Sequence, residues 1–203
     1  MAAPRIPRFR LPRHLINRWI YLALLAALLG AGLPYAQPAH AATFTVTTTQ
    51  DAPHTTPLDG NCTSTLAGTP CTLRAAVQAA NFLGGGPHTI NLAVAGGYIL
   101  TVAGANEDNA ATGDLDINGV SVAINNMSGG SVLIDGNRTD RVFDIGPLAT
   151  AQLSISGLTI QNGVAATNNG VAHGGAVLVR AGSSLALSSA NSPRALPAVT
   201  AED

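Results

Sequence analysis

The residues of this chain that could do chemistry are carboxylates and arginines in its second half. Grouped carboxylates can hold calcium through their oxygens, and an arginine beside them can act as the base of a polysaccharide lyase. The candidates are Asp114, Asp116, Asp135, Asp140 and Asp144, with Arg138 and Arg141. A structural role competes with catalysis, because Asp135 most simply supplies turn hydrogen bonds and Asp114 and Asp116 most simply flank a strand. We therefore assign no catalytic residue.

A further candidate for calcium is the acidic loop that contains Glu107 and Asp108. Asn106 and Asn109 flank these carboxylates, so four oxygen-bearing side chains follow one another. A solvated acidic loop without an ion explains the same residues. We expect no cofactor, and calcium is the alternative, with these candidate ligands: Glu107, Asp108, Asp114 and Asp116.

His173-Gly174 is a weaker catalytic pattern. Polysaccharide hydrolases combine a His-Gly element with paired aspartates, and this chain contains no Asp-Asp dipeptide. The histidine lies in a glycine-rich stretch, so we interpret it as part of a loop.

Cys62 and Cys71 are the only cysteines of the chain. Two cysteines in an exported protein pair by default, and this pair would tie the turn at residues 59–61 to the start of a helix. Zinc binding is the weaker alternative, because two thiols without a nearby histidine pair make a poor zinc site. We predict a disulfide between Cys62 and Cys71.

Residues 1–41 have the features of a signal peptide. Five arginines and no acidic residue precede an apolar run at 20–33, which Pro34 ends. Small residues precede the bond between Ala41 and Ala42, so cleavage there is predicted, with no membrane span in the mature chain. The alternative is a membrane tether by an uncleaved segment, but the apolar run is shorter than the ~20 residues that cross a bilayer. We expect a secreted or cell-envelope protein.

Loss of this segment leaves an acidic chain without lysine. Half of the arginines leave with it, all acidic residues remain, and the remaining arginines are dispersed along the sequence. Nucleic acid is therefore not expected as a partner. The roughly 160 residues that remain suffice for one domain with a core. Their richness in Gly, Ala, Thr, Asn and Val favours a thin, repetitive β architecture.

One amphipathic helix lies among short strands. Thr72 can cap its start and Gly84–Gly86 can end it. Its apolar face consists of Leu73, Ala76, Val77, Ala80 and Leu83. Strand patterns occur at 43–49, 88–92, 98–102, 120–124, 132–134, 142–145, 153–155, 158–160, 176–179 and 185–187.

An antiparallel sandwich and a parallel β-helix both fit such short strands. Apolar triplets such as 132–134 and 153–155 return after roughly twenty residues, a coil-like period rather than hairpin spacing. Residues 165–174 would form a loop that lengthens the next step. We predict an all-β chain in which residues 87–189 form the coils of a parallel β-helix. Residues 42–86 would cap its exposed end with a strand, the cysteine loop and the helix.

Several motifs resemble bacterial CSLREA-domain surface proteins. They are Thr43-Phe-Thr-Val-Thr47, Asp59-Gly-Asn-Cys62, Cys71-Thr-Leu-Arg-Ala-Ala-Val77, Ala80-Asn81, Ala111-Thr-Gly-Asp-Leu-Asp-Ile117, Ile134-Asp-Gly136, Arg141-Val-Phe143 and Ile155-Ser-Gly-Leu-Thr-Ile-Gln-Asn-Gly163. The resemblance covers about residues 42–189 and implies an exported, right-handed parallel β-helix of the pectin-lyase-like type.

The chain departs from this family at two places. Ala75 stands where the family usually carries Glu, so the reciprocal capping-box hydrogen bond is lost, although Thr72 can still cap the helix. Residues 190–203 drop the strand pattern where family members continue with further coils. We therefore interpret the chain as truncated at its C-terminal end.

The resulting expectation is an exported, non-enzymatic module with an adhesive, structural or polymer-binding role. Its expected partner is an extracellular polysaccharide or a surface protein, and an uncapped last coil would favour self-association. Two alternatives stay open. A pectin-lyase-like lyase or hydrolase would release new chain ends from acidic polysaccharides, whereas a truncated fragment would have no independent activity.

Overall fold

Short strands dominate the part of the chain that the computed structural model describes, which comprises residues 40–56, 58–105, 107–165, 167–168, 171–172, 174–189 and 200–201. These residues lie in one compact unit, 39–203. Of the predicted signal segment only His40 and Ala41 are described, and His173 lies outside the described residues. The prediction of an all-β chain is confirmed.

Fourteen strands and one helix, α1, are found in the described ranges. The strands are β1 (Thr43–Val46), β2 (Gly85–Leu92), β3 (Gly96–Ile99), β4 (Leu115–Ile117), β5 (Val120–Asn126), β6 (Val132–Asp135), β7 (Phe143–Ile145), β8 (Gln152–Ser156), β9 (Thr159–Gln161), β10 (Thr167–Asn168), β11 (Val171–Ala172), β12 (Val177–Val179), β13 (Ser184–Ser188) and β14 (Thr200–Ala201). The helix α1 runs over Leu73–Leu83.

Three of the sheets contain only parallel strand pairs. Their orders are β1-β2-β5-β8-β13, β3-β6-β9 and β14-β12-β7-β4, and β10 with β11 forms a separate antiparallel pair. From β2 to β9 the chain visits the five-, three- and four-stranded sheets in that order, and it then repeats the cycle. Segment 165–174 was predicted as a loop, but it contains the strand pair of β10 and β11. Thr200–Ala201, in the tail that was predicted to lack strands, pairs with β12.

The predicted period of about twenty residues is wrong. The triplets 132–134 and 153–155 belong to β6 and β8, which lie in different sheets. Parallel ladder partners between β2 and β13 are instead separated by 26 residues, as for Leu133 and Thr159, to 36 residues, as for Gly96 and Val132. The interval of about twenty residues is the distance along the chain from β6 in one sheet to β8 in another. It resembles a repeat because apolar triplets occur in both sheets.

Local sequence sets the boundaries of α1. Thr72 is the N-cap, and its Oγ1 accepts a hydrogen bond from the backbone N–H of Ala75 at 3.1 Å. Gly84 ends the helix at φ +64°, a left-handed conformation that glycine adopts without strain. The cap survives without a glutamate at position 75, because the Thr72 oxygen alone satisfies that orphan donor.

The apolar face of α1 packs against β1, β2, β4 and β5. Leu73 and Val77 are buried, whereas Leu83, predicted on the same face, is 40% exposed. Asn81 joins the helix to the strand below it, since its amide donates to the Asp116 carbonyl at 2.7 Å. The helix therefore fixes the position of β4.

The described ranges contain no helix with both the length and the apolar character needed to cross a bilayer.

Candidate functional site

Four aspartates gather on the side of the four-stranded sheet that faces away from the main core. Leu115 and Ile117 of β4 belong to the core, and neighbouring side chains of a strand point to opposite faces. Asp116 of β4 therefore points away from the core, as does its ladder partner Asp144 of β7. We call Asp114, Asp116, Asp140 and Asp144 the acidic cluster; each of its members is buried.

The loop between β3 and β4, residues 100–114, covers part of this cluster. The backbone N–H of Ala110 donates to Asp116 Oδ2 at 2.7 Å. Arg74 of α1 holds the same loop, because its guanidinium donates to the carbonyls of Ala110, Gly113 and Asp114 at 2.8–3.1 Å. Its Nε also lies 2.7 Å from Asp51 Oδ1, in an ion pair that is almost completely buried.

Two arginines bind carboxylates of the cluster. Arg141 Nε donates to Asp114 Oδ2 at 2.9 Å, and Arg141 Nη2 lies 3.1 Å from Asp144 Oδ2. Arg180 donates to both oxygens of Asp144, at 3.0 and 2.7 Å. Both oxygens of Asp144 therefore accept charged hydrogen bonds, the strongest kind available to a carboxylate.

Two buried carboxylate oxygens of the cluster, Asp116 Oδ1 and Asp140 Oδ2, have no hydrogen-bond partner among the described residues. Burial raises the pKa of Asp116 to about 8, and the negative charge of Asp114 adds to this shift. Burial, with the charge of Asp140, also raises the pKa of Asp114 to about 7 against the opposing effect of Arg141. The pKa of Asp140 is raised mainly by burial. The cluster is therefore short of positive charge.

The interpretation that Asp114 and Asp116 flank a strand holds for Asp114 and is wrong for Asp116. Asp114 immediately precedes β4, and Asp116 is the central residue of that strand. Both side chains belong to a buried cluster because the parallel register brings β7 against β4. Oxygen atoms of Asp114, Asp116 and Asp144 lie within 4.8 Å of one another.

The candidate calcium ligands of the acidic loop make hydrogen bonds close to the loop. The two oxygens of Glu107 accept hydrogen bonds from the backbone N–H groups of Asn109 at 3.1 Å and Thr112 at 2.9 Å. The carbonyl of Asp108 accepts from the Asn118 side chain at 2.6 Å. These contacts organise the turn of the β3–β4 loop.

Asp135, the last residue of β6, accepts hydrogen bonds from the turn that follows, as predicted. Its Oδ1 accepts from the backbone N–H of Asn137 at 2.8 Å, and its Oδ2 accepts from the side chains of Gln161 and Asn162, both at 2.9 Å. Burial opposes ionisation of Asp135, but these hydrogen bonds outweigh it and lower its pKa. Arg138, on the same turn, is exposed.

Cys62 and Cys71 form a disulfide with their Cα atoms 5.0 Å apart. The bond joins the turn at Asn61 to the residue before the N-cap of α1. At the predicted cleavage position, Ala41 is exposed and the backbone N–H of Ala42 donates to His88 Nδ1 at 3.1 Å.

The outward face of the five-stranded sheet is a second candidate surface. Its residues are uncharged and half-buried or exposed, and they comprise Thr43, Thr45, Thr89, Asn91, Ser121, Ala123, Asn125, Gln152, Ser154, Ser156, Ser184, Ala186 and Ser188. We call this surface the polar sheet face. Residues in register form rows across the strands, and in one row Ser156 Oγ donates to Asn125 Oδ1 at 2.8 Å.

Sequence reasoning missed the buried ion pair of Arg74 and Asp51, and it missed Arg180 as the half-exposed partner of buried Asp144. A signal existed for Arg74, because it is the one charged residue in the helix sequence LRAAVQAANFL. A lone charge in an apolar helix that is buried around its first turns needs a partner. No comparable signal marked Asp51 or Arg180, since each finds its partner through the fold.

No family model matches the chain, and neither a curated protein nor a solved structure shows significant similarity to it.

Proposed function

We propose that the chain is an exported, non-enzymatic module that binds an extended, uncharged polymer through the polar sheet face. In this proposal the strands belong to a right-handed parallel β-helix with β1 and α1 as its cap. The regular rows of the polar sheet face carry the functional part of the proposal.

The connectivity supports the β-helical part. Strands of the three parallel sheets follow one another in a repeated order, and each return to a sheet adds a parallel neighbour. Connections between parallel strands of one sheet are right-handed in nearly all proteins, which supports that hand here. β1 is the edge strand beside β2, and α1 packs on both, as a cap that covers the first edge would do.

The chemistry of the polar sheet face supports a polymer ligand. Parallel strands lie about 4.8 Å apart, so hydroxyl and amide groups repeat along the face at this spacing. The side chains of Thr45, Asn91, Asn125, Ser156 and Ser188 form one such row. Small residues keep the face shallow, which suits a flat or extended ligand. The absence of charged side chains among its residues favours a neutral polysaccharide.

Export is the third part of the proposal. The arginine-rich start, the apolar run and the small residues before Ala42 support a signal peptide. The Cys62–Cys71 disulfide suits an oxidising compartment, and the motif resemblance to CSLREA-domain proteins adds a cell-surface location. N-terminal sequencing of the exported protein tests this part. A chain that starts at Ala42 agrees with it, and a chain that retains residues 20–33 contradicts it.

A pectin-lyase-like lyase or hydrolase is the alternative. The acidic cluster is buried, and Asp135 is engaged in turn hydrogen bonds, so neither set of carboxylates offers a substrate an accessible acid and base. This arrangement supports a binding role. The enzyme alternative predicts new reducing or unsaturated ends when the purified chain is incubated with polysaccharides.

The decisive experiment uses a matched pair of variants. Ser154 is exposed at the centre of β8, an interior strand of the five-stranded sheet, and Thr159 is exposed on β9 of the three-stranded sheet. We expect the full oxidised chain to sediment with an insoluble neutral polysaccharide such as cellulose or chitin. Ser154→Lys should weaken this binding about tenfold or more, because it places a long charged chain on a flat neutral face. Thr159→Lys should leave it unchanged.

Three results would overturn the proposal. They are equal loss of binding in both variants, binding of the wild type to no neutral polymer, and release of new chain ends in the same assay. Far-UV circular dichroism must show the same spectrum for both variants, so that lost binding is not lost folding. A chain that binds nothing and associates as its concentration rises would favour the fragment alternative.

A further inference from the structure

The acidic cluster carries more negative charge than its arginines balance. All four of its carboxylates are at most 2% exposed. Two guanidinium groups, those of Arg141 and Arg180, donate to them, while Arg74 forms its ion pair with Asp51. Full ionisation would therefore leave an excess of two buried negative charges. Such charge is too costly to leave unpaired, so either two protons or one divalent cation must compensate it.

The position of Asp116 indicates where the compensating charge belongs. Asp116 and Asp144 are direct ladder partners, and like charges directly opposite each other on a sheet repel. Asp116 is 0% exposed, and its Oδ1 has no hydrogen-bond partner among the described residues. Asp116 Oδ1 is therefore available as a ligand atom, because it is buried, has no donor among the described residues and lies on the strand beside Asp144.

A second unpartnered oxygen lies beside the first group. A Cβ on Gly113 would be 2.9 Å from Asp140 Oδ2 and 2.7 Å from the carbonyl oxygen of Gly104, so these two oxygens face the same point. Asp140 Oδ2 has no donor among the described residues. Asp140 Oδ2 therefore repeats, at the edge of the cluster, the arrangement found at Asp116: a buried carboxylate oxygen without a donor beside another acceptor oxygen.

The geometry points to a buried divalent-cation site at Asp114, Asp116 and Asp144, with calcium as the cation that fits it best. One oxygen of each carboxylate lies within 4.8 Å of the others, which two Ca–O bonds of about 2.3–2.6 Å can span. The donors are all oxygens, which suit calcium or magnesium rather than zinc or copper. Because the site is buried and Ala110 of the β3–β4 loop donates to Asp116, its role is to fix that loop against β4 and β7.

The test measures calcium binding to the full oxidised protein after treatment with a chelator. Isothermal titration should show one calcium per chain with a dissociation constant of about 1 mM or lower, the range of extracellular calcium modules. Calcium should also raise the melting temperature, whereas magnesium, which needs a tighter octahedral shell, should bind more weakly. Elemental analysis of protein purified in calcium and then desalted gives an independent count.

Two substitutions separate this site from other carboxylates. Asp116→Asn should lower calcium affinity by at least the ~10–100-fold that loss of a supporting partner costs at metal sites. It should not unfold the chelated protein, because it removes a buried charge without a change of shape. Asp135→Asn, at the half-buried end of β6, should leave affinity unchanged. If a variant does not fold, the wild-type titration still decides the question.

Three outcomes would overturn the site. The first is that about 10 mM calcium neither binds nor shifts the melting temperature, which would assign the compensating charges to protons. The second is that Asp116→Asn binds calcium as the wild type does. The third is loss of binding in Glu107→Gln rather than in Asp116→Asn, which would place the ion in the acidic loop.

Discussion

Arg74 should contribute more to stability than any other arginine whose surroundings the structure describes. Its side chain is 0% exposed, and it donates to Asp51 and to three backbone carbonyls of the β3–β4 loop. The substitution Arg74→Met keeps most of the aliphatic stem and removes the guanidinium. Asp51, whose side chain is 4% exposed, then stays buried without its charge partner.

The magnitude of this loss follows from the buried ion pair. Removal of one partner of such a pair costs about 3–5 kcal/mol, because the remaining charge is uncompensated. For a domain of this size each kcal/mol lowers the melting temperature by about 2–4 °C. We therefore expect a decrease of about 6–20 °C for Arg74→Met. The lost hydrogen bonds to the carbonyls of Ala110, Gly113 and Asp114 favour the upper part of that range.

The assay is reversible unfolding of the full oxidised chain in urea and on heating, followed by far-UV circular dichroism. Arg138→Met is the matched control, because Arg138 is exposed and should change stability by less than about 0.5 kcal/mol. The double variant Arg74→Met/Asp51→Asn should be less destabilised than the sum of its single changes, since it removes both charges.

The reasoning is refuted if the free energies of unfolding of Arg74→Met and the Arg138→Met control differ by less than about 1 kcal/mol. Loss of one partner of a buried ion pair should cost more than that. Strict additivity in the double variant would also refute it, because additivity means that Arg74 and Asp51 do not interact.

Three further predictions concern the cysteine loop and the acidic cluster. Loss of the Cys62–Cys71 disulfide, in the double serine variant, should cost about 2–3 kcal/mol in urea unfolding, since the loop spans a sequence separation of 9. Gly113→Ala should destabilise the chain more than Gly68→Ala does; both positions have positive φ, but only at Gly113 would a Cβ meet oxygen atoms within 3 Å. In chelator, stability should fall as pH rises from about 4 to 8, because burial raises the pKa of Asp116 to about 8 and the folded chain then holds a proton that the unfolded chain has lost. Asp116→Asn should flatten that fall, and an unchanged slope would contradict the assignment.

The helix was predictable because all its determinants are local. Thr72 supplies the cap, Gly84 supplies the left-handed end, and the apolar spacing of Leu73 and Val77 identifies the buried face. The strands of the five-stranded sheet were predictable for the same reason, since apolar and polar residues alternate within each of them.

β4 was missed because Asp114 and Asp116 leave it only two apolar residues, whereas Val142 lengthens the same pattern before Asp144 of β7, which was predicted. An aspartate is rare in strands, so the pattern Leu115-Asp116-Ile117 resembles a turn unless the outer face of the strand is known to be covered. The β3–β4 loop covers part of that face through the contact of Ala110 with Asp116, and Arg74 holds the loop in place. Sequence periodicity describes one strand at a time and contains no information on such a cover.

The acidic cluster was also beyond local pattern. Asp116 and Asp144 meet only because β4 and β7 pair in parallel at one particular register. A shift of that register by one residue would place Phe143 or Ile145 beside Asp116 instead. The sequence identified these aspartates as candidates for chemistry. Their grouping depends on the pairing of β4 with β7, which are separated in the chain by strands of two other sheets.

Arg74 and the acidic cluster act on the same loop from opposite sides. The Ala110 carbonyl accepts from Arg74, and the N–H of the same residue donates to Asp116. A change at either side chain therefore alters the loop that the other one holds, so their effects on stability should be non-additive. The disulfide shares no hydrogen-bond partner with Asp116 and should combine with it additively. Because the arginine of the helix and the carboxylates of the sheet meet in one loop, an ion bound by the cluster would stabilise the docking of α1 as well as its own strands.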